Sequence, residues 1–296
     1  MGMGKAWHDA SPASREIFAR ANNTLGYDLA TLCFEGPADE LNRTDRSQPA
    51  IYTASVACYE GLRERGSIGG DGGRGIGRVV ATAGLSLGEF TALHLAGAFD
   101  FETGLKLVQL RGSAMQQAAQ ATVGGMVALI GGDEAQATQV CDEARGDDVL
   151  VCANFNAPGQ IVISGSSAAC DRAIKSAQDL GLRATALTVA GAFHSPLMAQ
   201  ASERLGEALA DVAWSTPAVT VMSNVTALPH DANDTASIRT RLIEQLTHAV
   251  RWSDSMAWMV KNVPGNYLEM APGKTLAGLM RRIDRGTKVA NHAEPA

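Results

Sequence analysis

Arg78-Val-Val-Ala-Thr-Ala-Gly-Leu-Ser-Leu-Gly-Glu89 decides how this chain is read. An apolar run with strand character leads into Gly84-x-Ser86-x-Gly88, and a helical pattern follows at once, which is the sequence form of a nucleophile elbow. A serine hydroxyl is a poor nucleophile unless a sharp turn lifts it from the sheet, offers it to a base and aims backbone N–H groups at the oxyanion that its attack creates. Gly84 and Gly88 are expected to provide room for such a turn, because glycine lets strand and helix approach without a Cβ clash. Ser86 is therefore the candidate nucleophile. The tripeptide spacing also recurs by chance, so the flanking strand and helix carry the assignment; Gly165-Ser-Ser has no such flanks.

Outward from the elbow, the N-terminal side reads as helical. Ser11-Pro-Ala-Ser14 caps a run through Ala21, a Gly-Tyr turn follows, and Ser47-Gln-Pro-Ala50 opens a second helix that continues to Arg65. A Gly-rich loop is expected over Ser67 to Gly77, the elbow strand over Arg78 to Ala83, and helices over Glu89 to Gly97 and Phe101 to Ala118. The middle third changes rhythm. Met126 to Gly131, Val149 to Asn154, Gln160 to Ser164 and Ala184 to Val189 read as strands, with helices over Glu134 to Ala144 and Ala168 to Leu180. That order, β-α-β-β-α-β, is the ferredoxin-like unit. It is expected as a small subdomain over 125–190, inserted into a larger one built from 1–124 and 191–296. The larger part resumes with a long helix over Ser195 to Asp211, a strand over Val219 to Ser223, helices over Ile238 to Ala249 and Ser253 to Asn262, a strand over Tyr267 to Met270 and a helix over Lys274 to Ile283. The last dozen residues are polar and expected to fray.

Composition narrows the function class. With 296 residues, 46% hydrophobic and 19% charged, the chain is long enough to bury a substantial core and has the balance of an α/β enzyme. A net charge of −6 argues against nucleic acid as the main partner. No apolar run reaches the length needed to cross a bilayer, and no charged-then-apolar leader opens the sequence, so no membrane partner is expected. Cys33, Cys58, Cys141, Cys152 and Cys170 are odd in number and lack ligand spacing; they read as reduced thiols in a reducing, cytoplasmic compartment with no metal site.

A serine nucleophile needs a base, and of six histidines only His194 is suggestively placed, after a strand and at the start of a helix in Val189-Ala-Gly-Ala-Phe-His-Ser-Pro-Leu197. The plainer alternative is a histidine that merely caps or packs there. His94 reads as a core residue near the elbow, while His8, His230, His248 and His292 read as surface or loop residues. An orienting acid normally falls between serine and histidine in this order of elements, yet Asp133, Asp142, Asp147, Asp148, Asp171 and Asp179 all belong to the insertion. The orienter is then expected to be a backbone carbonyl, an arrangement better suited to thioester transfer than to amide hydrolysis. Arg111, in Leu107-Val-Gln-Leu-Arg-Gly-Ser-Ala-Met115, has two readings: a guanidinium that meets a carboxylate, or a packed stem with a solvated head.

These stretches together resemble the malonyl-CoA:acyl-carrier-protein transacylase family of fatty-acid synthesis. The resemblance is carried by Gly84-Leu-Ser-Leu-Gly-Glu89, Leu107-Val-Gln-Leu-Arg-Gly112, Ala153-Asn-Phe-Asn-Ala-Pro-Gly-Gln160 with Ile161-Val-Ile-Ser-Gly165, and Gly191-Ala-Phe-His194. Ser223-Asn-Val225, Gln245-Leu with Val250-Arg-Trp252, Glu269-Met-Ala-Pro-Gly273 and Ser47-Gln-Pro-Ala50 extend it along the whole chain. It implies an α/β fold, with an α/β-hydrolase-like large subdomain and the ferredoxin-like insertion. By the same resemblance Ser86 takes a malonyl group from coenzyme A as an oxyester and His194 serves as base and then acid. Arg111 holds the malonate carboxylate, Leu87 offers its N–H to the oxyanion, and the Gln245 main-chain carbonyl orients His194.

The phosphopantetheine thiol of acyl carrier protein then attacks, giving ping-pong transfer with no bound cofactor and with the coenzyme A thioester as substrate. Phe193 matches malonyl-selecting members, where a bulky ring leaves little space for a methyl branch. The carrier is acidic, so a basic docking surface is expected, with Arg239, Arg241, Arg251, Lys274, Arg281 and Arg282 as candidates. Family members open with a strand and a Gly-Gln-Gly-Ser-Gln-type segment that contributes a second oxyanion contact, whereas this sequence opens at Met1-Gly-Met-Gly4. Loss of one such donor typically costs on the order of a hundred-fold in rate. Two alternatives follow: an α/β serine hydrolase or thioesterase, and a catalytically impaired homologue.

Overall fold

The structure, a computed structural model, describes residues 1–69 and 77–295. Helices α1 (Lys5–Ala10), α2 (Pro12–Leu25), α3 (Leu29–Glu35), α4 (Ala38–Leu41) and α5 (Thr44–Glu64) precede β1 (Ala81–Thr82), α6 (Gly88–Leu95) and α7 (Phe101–Ala121). The middle segment holds β2 (Gly124–Ile130), α8 (Glu134–Arg145), β3 (Leu150–Ala157), β4 (Gln160–Ser166), α9 (Ser167–Asp179) and β5 (Arg183–Ala186). After a 3₁₀ turn over Pro196–Met198 come α10 (Ala199–Ala210), β6 (Thr220–Val221), α11 (Thr235–Glu244), α12 (Trp252–Asn262), β7 (Tyr267–Met270), α13 (Thr275–Ile283) and β8 (Val289–His292).

The fold is α/β, with an α/β-hydrolase-like part carrying a ferredoxin-like sheet. In the middle segment the strand order is β3-β4-β2-β5, antiparallel throughout. Side chains alternate across β2, so Val127 and Leu129 face a core with Val140 of α8 and Ala173 of α9, while Met126 and Ala128 face the opposite way toward Ala153 and Phe193. That second face fronts the larger part. There β1 pairs with β6 and β7 with β8, both parallel. A helical layer encloses them, with α5 lying along α7 and buried Tyr52, Phe90, Leu93, Leu105 and Met198 forming the main core.

Local signals explain many of the boundaries. Ser11 accepts the Ser14 N–H, Pro12 occupies the first turn of α2, and Gly26 closes that helix at φ 74°. Asp133 and Gln136 form a reciprocal capping box on α8. Several expectations need correction. Helix α5 begins at Thr44 rather than at Ser47, with Pro49 inside it: a proline there removes one backbone donor, and burial of Gln48, Pro49, Ala50 and Tyr52 against the core offsets the loss. The helix expected over 195–211 is interrupted, because the Ser195 hydroxyl donates to the Ala192 carbonyl and accepts the Leu197 N–H, breaking the regular ladder. The C-terminal segment is not frayed at 289–292: β8 pairs with β7, and Trp7 Nε1 and Cys58 Sγ both donate to the His292 carbonyl. The elbow strand covers Ala81–Thr82 instead of 78–83, since only that stretch is paired with β6. Residues 70–76 of the expected Gly-rich loop lie outside the described residues; the Gly69 N–H donates to the Gly77 carbonyl across them. Cys33, Cys58, Cys141 and Cys170 are buried, Cys152 is half-buried, and burial pushes the Cys33 thiol up to about 12.

Gly84 and Gly88 turn out to be unequal. A Cβ on Gly84 would lie 2.0 Å from the backbone of Gly88, whereas a Cβ on Gly88 meets nothing within 4 Å. Gly84→Ala should therefore destabilise the protein by about 3 kcal/mol or more, since backbone rather than a flexible side chain must move. Gly88→Ala should unfold within about 0.5 kcal/mol of the parent. Chemical denaturation of both variants checks the contrast, and equal midpoints would contradict it.

Candidate active site

Ser86 lies between β1 and α6 with φ 51°, a left-handed conformation unusual for a residue with a side chain. The turn is held from across the fold. Asn224, just past β6, accepts the Ser86 N–H on Oδ1 at 2.6 Å and donates from Nδ2 to the Gly84 carbonyl at 2.8 Å. Gln245 Nε2 donates to the Ser86 carbonyl at 3.0 Å. The bonds within the turn run from Gly88, Glu89 and Phe90 back to Leu85, Ser86 and Leu87. Among the described residues no acceptor meets the Leu87 N–H, which stands at the N-terminal end of α6 beside the serine. A free N–H at a helix N-terminus is suited to an oxyanion.

His194 also has positive φ, 56°, and is 4% exposed. Its Nδ1 lies 2.7 Å from the Gln245 carbonyl oxygen, and its Nε2 lies 2.9 Å from Ser86 Oγ. A carbonyl can only accept, so Nδ1 carries the ring proton and Nε2 is left to accept the Ser86 hydroxyl proton. The carbonyl of Gln245 is free because α11 stops at Glu244 rather than running on to Ala249. Past Gln245 the chain is drawn to the small sheet instead: the Phe155 N–H donates to Val250, the Val250 N–H to Ala153, and the Arg251 N–H to Asn224. The histidine is thus oriented by backbone, with no carboxylate on Nδ1. Burial pushes the imidazole down to about 4, the Arg111 charge beside it acts in the same direction, and the Gln245 carbonyl opposes both.

Arg111 is 1% exposed on the inner face of α7. That rules out a solvated head. Its Nη2 donates to Ser86 Oγ and to Gln245 Oε1, each at 2.9 Å, and its Nη1 donates to Gln48 Oε1 at 2.8 Å. Nε is buried without a partner, and no carboxylate pairs with the fork among the described residues. Burial lowers the guanidinium to about 10, against the pull of the Glu89 carboxylate, so the cation persists at neutral pH. A buried, always-charged fork contacting only neutral partners is an anion site in waiting. Phe193, half-buried next to His194, packs on the face of the small sheet formed by Met126, Ala153 and Val162.

Ser86, Arg111, His194 and Gln245 therefore meet in one cluster, with Leu87 and Phe193 adjoining it in the chain. Others were missed. Asn224, Gln48 and Glu89 sit inside the matched stretches Ser223-Asn-Val225, Ser47-Gln-Pro-Ala50 and Gly84 to Glu89, and that position was the only signal they carried. His230 gave none, and its placement as a surface or loop residue is corrected: its side chain is 2% exposed and its Nε2 lies 2.7 Å from Glu89 Oε1. His94 bonds the Phe99 carbonyl among aromatic rings, in keeping with a core role. Of the basic surface candidates, Arg241 pairs with Glu244 and Arg251 with Glu134 and Asp254. Among the described residues no group of three His, Cys, Asp or Glu could hold a metal ion, and no helix is long and apolar enough to cross a membrane.

The profile of the family described as "Acyl transferase domain" matches residues 1–293. The "Malonyl CoA-acyl carrier protein transacylase" of Escherichia coli (strain K12) is 39% identical over 274 residues, covering 92% of this chain and 85% of the relative. The crystal structure of malonyl-CoA:acyl carrier protein transacylase from Xanthomonas oryzae superposes with a TM-score of 0.93 at 40% identity, covering 100% of this chain and 91% of that one. A malonyl-transacylase solved in complex with a type II polyketide acyl-carrier protein superposes with a TM-score of 0.91 at 34% identity, over 100% and 92% of the two chains.

Only neutral His194 can accept the serine proton, so reactivity of Ser86 is present above the imidazole pKa and lost as pH falls through it. Labelling by an uncharged serine-directed fluorophosphonate, followed by mass spectrometry, should rise with a midpoint near 4. A midpoint near the unperturbed value of about 6.5 would contradict the burial argument.

Proposed function

Because this chain belongs to the acyl transferase domain family, we propose that it transfers a malonyl group from coenzyme A to the phosphopantetheine thiol of an acyl carrier protein through malonyl-Ser86. One observation carries the substrate assignment: the buried Arg111 fork, without a carboxylate partner, donates to the same Ser86 Oγ that His194 contacts. An acyl group attached at that oxygen and ending in a carboxylate would bring its charge to the guanidinium. An uncharged acyl group would leave the cation unsatisfied.

In the first half-reaction, Ser86 Oγ attacks the thioester carbonyl while His194 Nε2 takes its proton, and the Leu87 N–H receives the developing oxyanion. His194 then returns the proton to the departing coenzyme A thiolate. The malonyl carboxylate offsets the Arg111 charge, removing one of the two influences that hold the imidazole down, so substrate binding strengthens the base at the moment it is needed. In the second half-reaction the carrier thiol gives its proton to His194 and attacks malonyl-Ser86; the Oγ–acyl bond breaks and His194 returns the proton to the departing Ser86 oxygen. The Gln245 carbonyl keeps the ring in the required tautomer without a full counter-charge, which suits an activated thioester. Phe193 limits the space beside the acyl α-carbon, favouring malonyl over a methyl-branched homologue by about 1–3 kcal/mol.

We assign these roles to the cytoplasm and to residues of this chain alone, with no bound cofactor. The catalytic subdomain is taken as 1–124 with 191–296 and the ferredoxin-like one as 125–190. That division is supported by the separate core between the four-stranded sheet and helices α8 and α9. Hydrolysis as the main outcome is disfavoured by the charged wall that Arg111 presents and by the lack of a carboxylate behind His194.

Incubation with labelled malonyl-CoA should give acyl-Ser86, and holo acyl carrier protein should discharge it faster than water does. Ser86→Ala should carry no label. An impaired homologue would form no acyl-enzyme, and a thioesterase would release the label to water first. Arg111→Gln should lower kcat/KM for malonyl-CoA on the order of 100-fold, because a buried charge-assisted contact is lost. It should lower that for acetyl-CoA far less, and an equal loss on both substrates would argue against carboxylate recognition.

A further inference from the structure

Glu89 is fully buried in the first turn of α6, yet it touches neither His194 nor the Ser86 hydroxyl. A buried carboxylate persists only when its lone pairs are met by donors. Its Oε2 accepts Gln245 Nε2 at 2.6 Å and the Asn224 N–H at 3.1 Å, and its Oε1 accepts His230 Nε2 at 2.7 Å. The first two donors are the residues that hold the catalytic pair. Gln245 presents its carbonyl to His194 and its amide to the Ser86 carbonyl, while Asn224 ties down the Ser86 N–H and the Gly84 carbonyl. His230 is the third donor and has no bond to either. Apart from its bond to Glu89 it is held by backbone pairing, Met222 opposite Pro229 and the His230 N–H to the Val221 carbonyl, at the end of the return that follows Asn224. Glu89 therefore grips both ends of the 224–230 return and Gln245 at one point.

We propose that Glu89 and His230 form a buried positioning pair that sets Gln245 and Asn224, and through them the His194 ring and the Ser86 turn. The pair takes the place, at one remove, of the acid that would otherwise contact the imidazole. Glu89 also acts on Arg111, favouring its charged form against the cost of burial. His230 keeps Glu89 in this geometry by occupying the oxygen that the other two donors leave free. Without that donor, Oε1 is left bare in the interior and the carboxylate turns toward other partners, pulling Gln245 and Asn224 with it.

The inference rests on the malonyl-transfer reading, and its test separates the two. Acylation of Ser86 by malonyl-CoA is followed in single turnover for the parent, His230→Leu, His230→Gln and His230→Ala. His230→Leu should acylate ~10-fold to ~100-fold more slowly at saturating malonyl-CoA with KM within about threefold of the parent, because misplacement of the reacting groups affects the chemical step rather than binding. His230→Gln, whose amide can donate to the same oxygen, should recover to within about threefold of the parent. Rates for His230→Leu within about twofold of the parent, or no recovery in His230→Gln, would overturn the proposal. If His230→Leu does not fold, His230→Ala decides, since it removes the same donor without introducing a bulky side chain: slowed acylation supports the pair, and a parental rate overturns it. If the parent itself is not acylated, the malonyl reading falls instead. The same comparison then runs on fluorophosphonate labelling of Ser86, with the same orders of rate supporting or overturning the pair.

Discussion

A serine at φ 51° does not hold that conformation unaided, since an L-residue in the left-handed region carries a cost of order 1–3 kcal/mol. The bond from the Ser86 N–H to Asn224 Oδ1, with its companion from Asn224 Nδ2 to the Gly84 carbonyl, pins the turn on both sides of the strained residue. The rest of the site depends on that restraint. With the elbow fixed, Oγ lies where the imidazole and the guanidinium meet, and the Leu87 N–H is left unused at the start of a helix. If the turn relaxed, these groups would remain in place with nothing to act on.

The electrostatics follow from the same enclosure. Arg111 and Glu89 are both buried, at opposite sides of Gln245, whose amide oxygen accepts from one and whose amide nitrogen donates to the other. A neutral bridge between two buried charges lets each be satisfied without forming an ion pair that would quench the fork. The guanidinium remains available to an anion, and the imidazole beside it stays neutral. An acyl transferase that selects an acid-bearing acyl group needs a cation near the nucleophile that is not already neutralised, and this arrangement supplies one.

The small sheet takes part in this. Its inner face packs Phe193 against Met126, Ala153 and Val162, and its β3 edge draws Val250 into a bridge with Asn154. α11 ends at Glu244, ahead of that bridge, and the Gln245 carbonyl meets His194 instead of continuing a helix. The four-stranded sheet thus packs against Phe193 and holds the segment that follows Gln245, though it contributes neither of the side chains that contact Ser86 Oγ.

Much of this was written locally. The elbow at Gly84 to Gly88 and the helix after it, the alternation of the middle strands and the capping signals at Ser11 and Asp133 depend on neighbours a few residues apart, so the sequence determined them, and with the matched stretches it named Ser86, His194 and Arg111. What it could not determine was satisfaction at long range. The early end of α11, the pairing of β8 with β7, and the burial of His230 against Glu89 each depend on groups far apart in the chain meeting in the fold, Glu89 and His230 being 141 residues apart. A buried polar atom must find a partner wherever the chain brings one, and no periodicity in the sequence records that meeting.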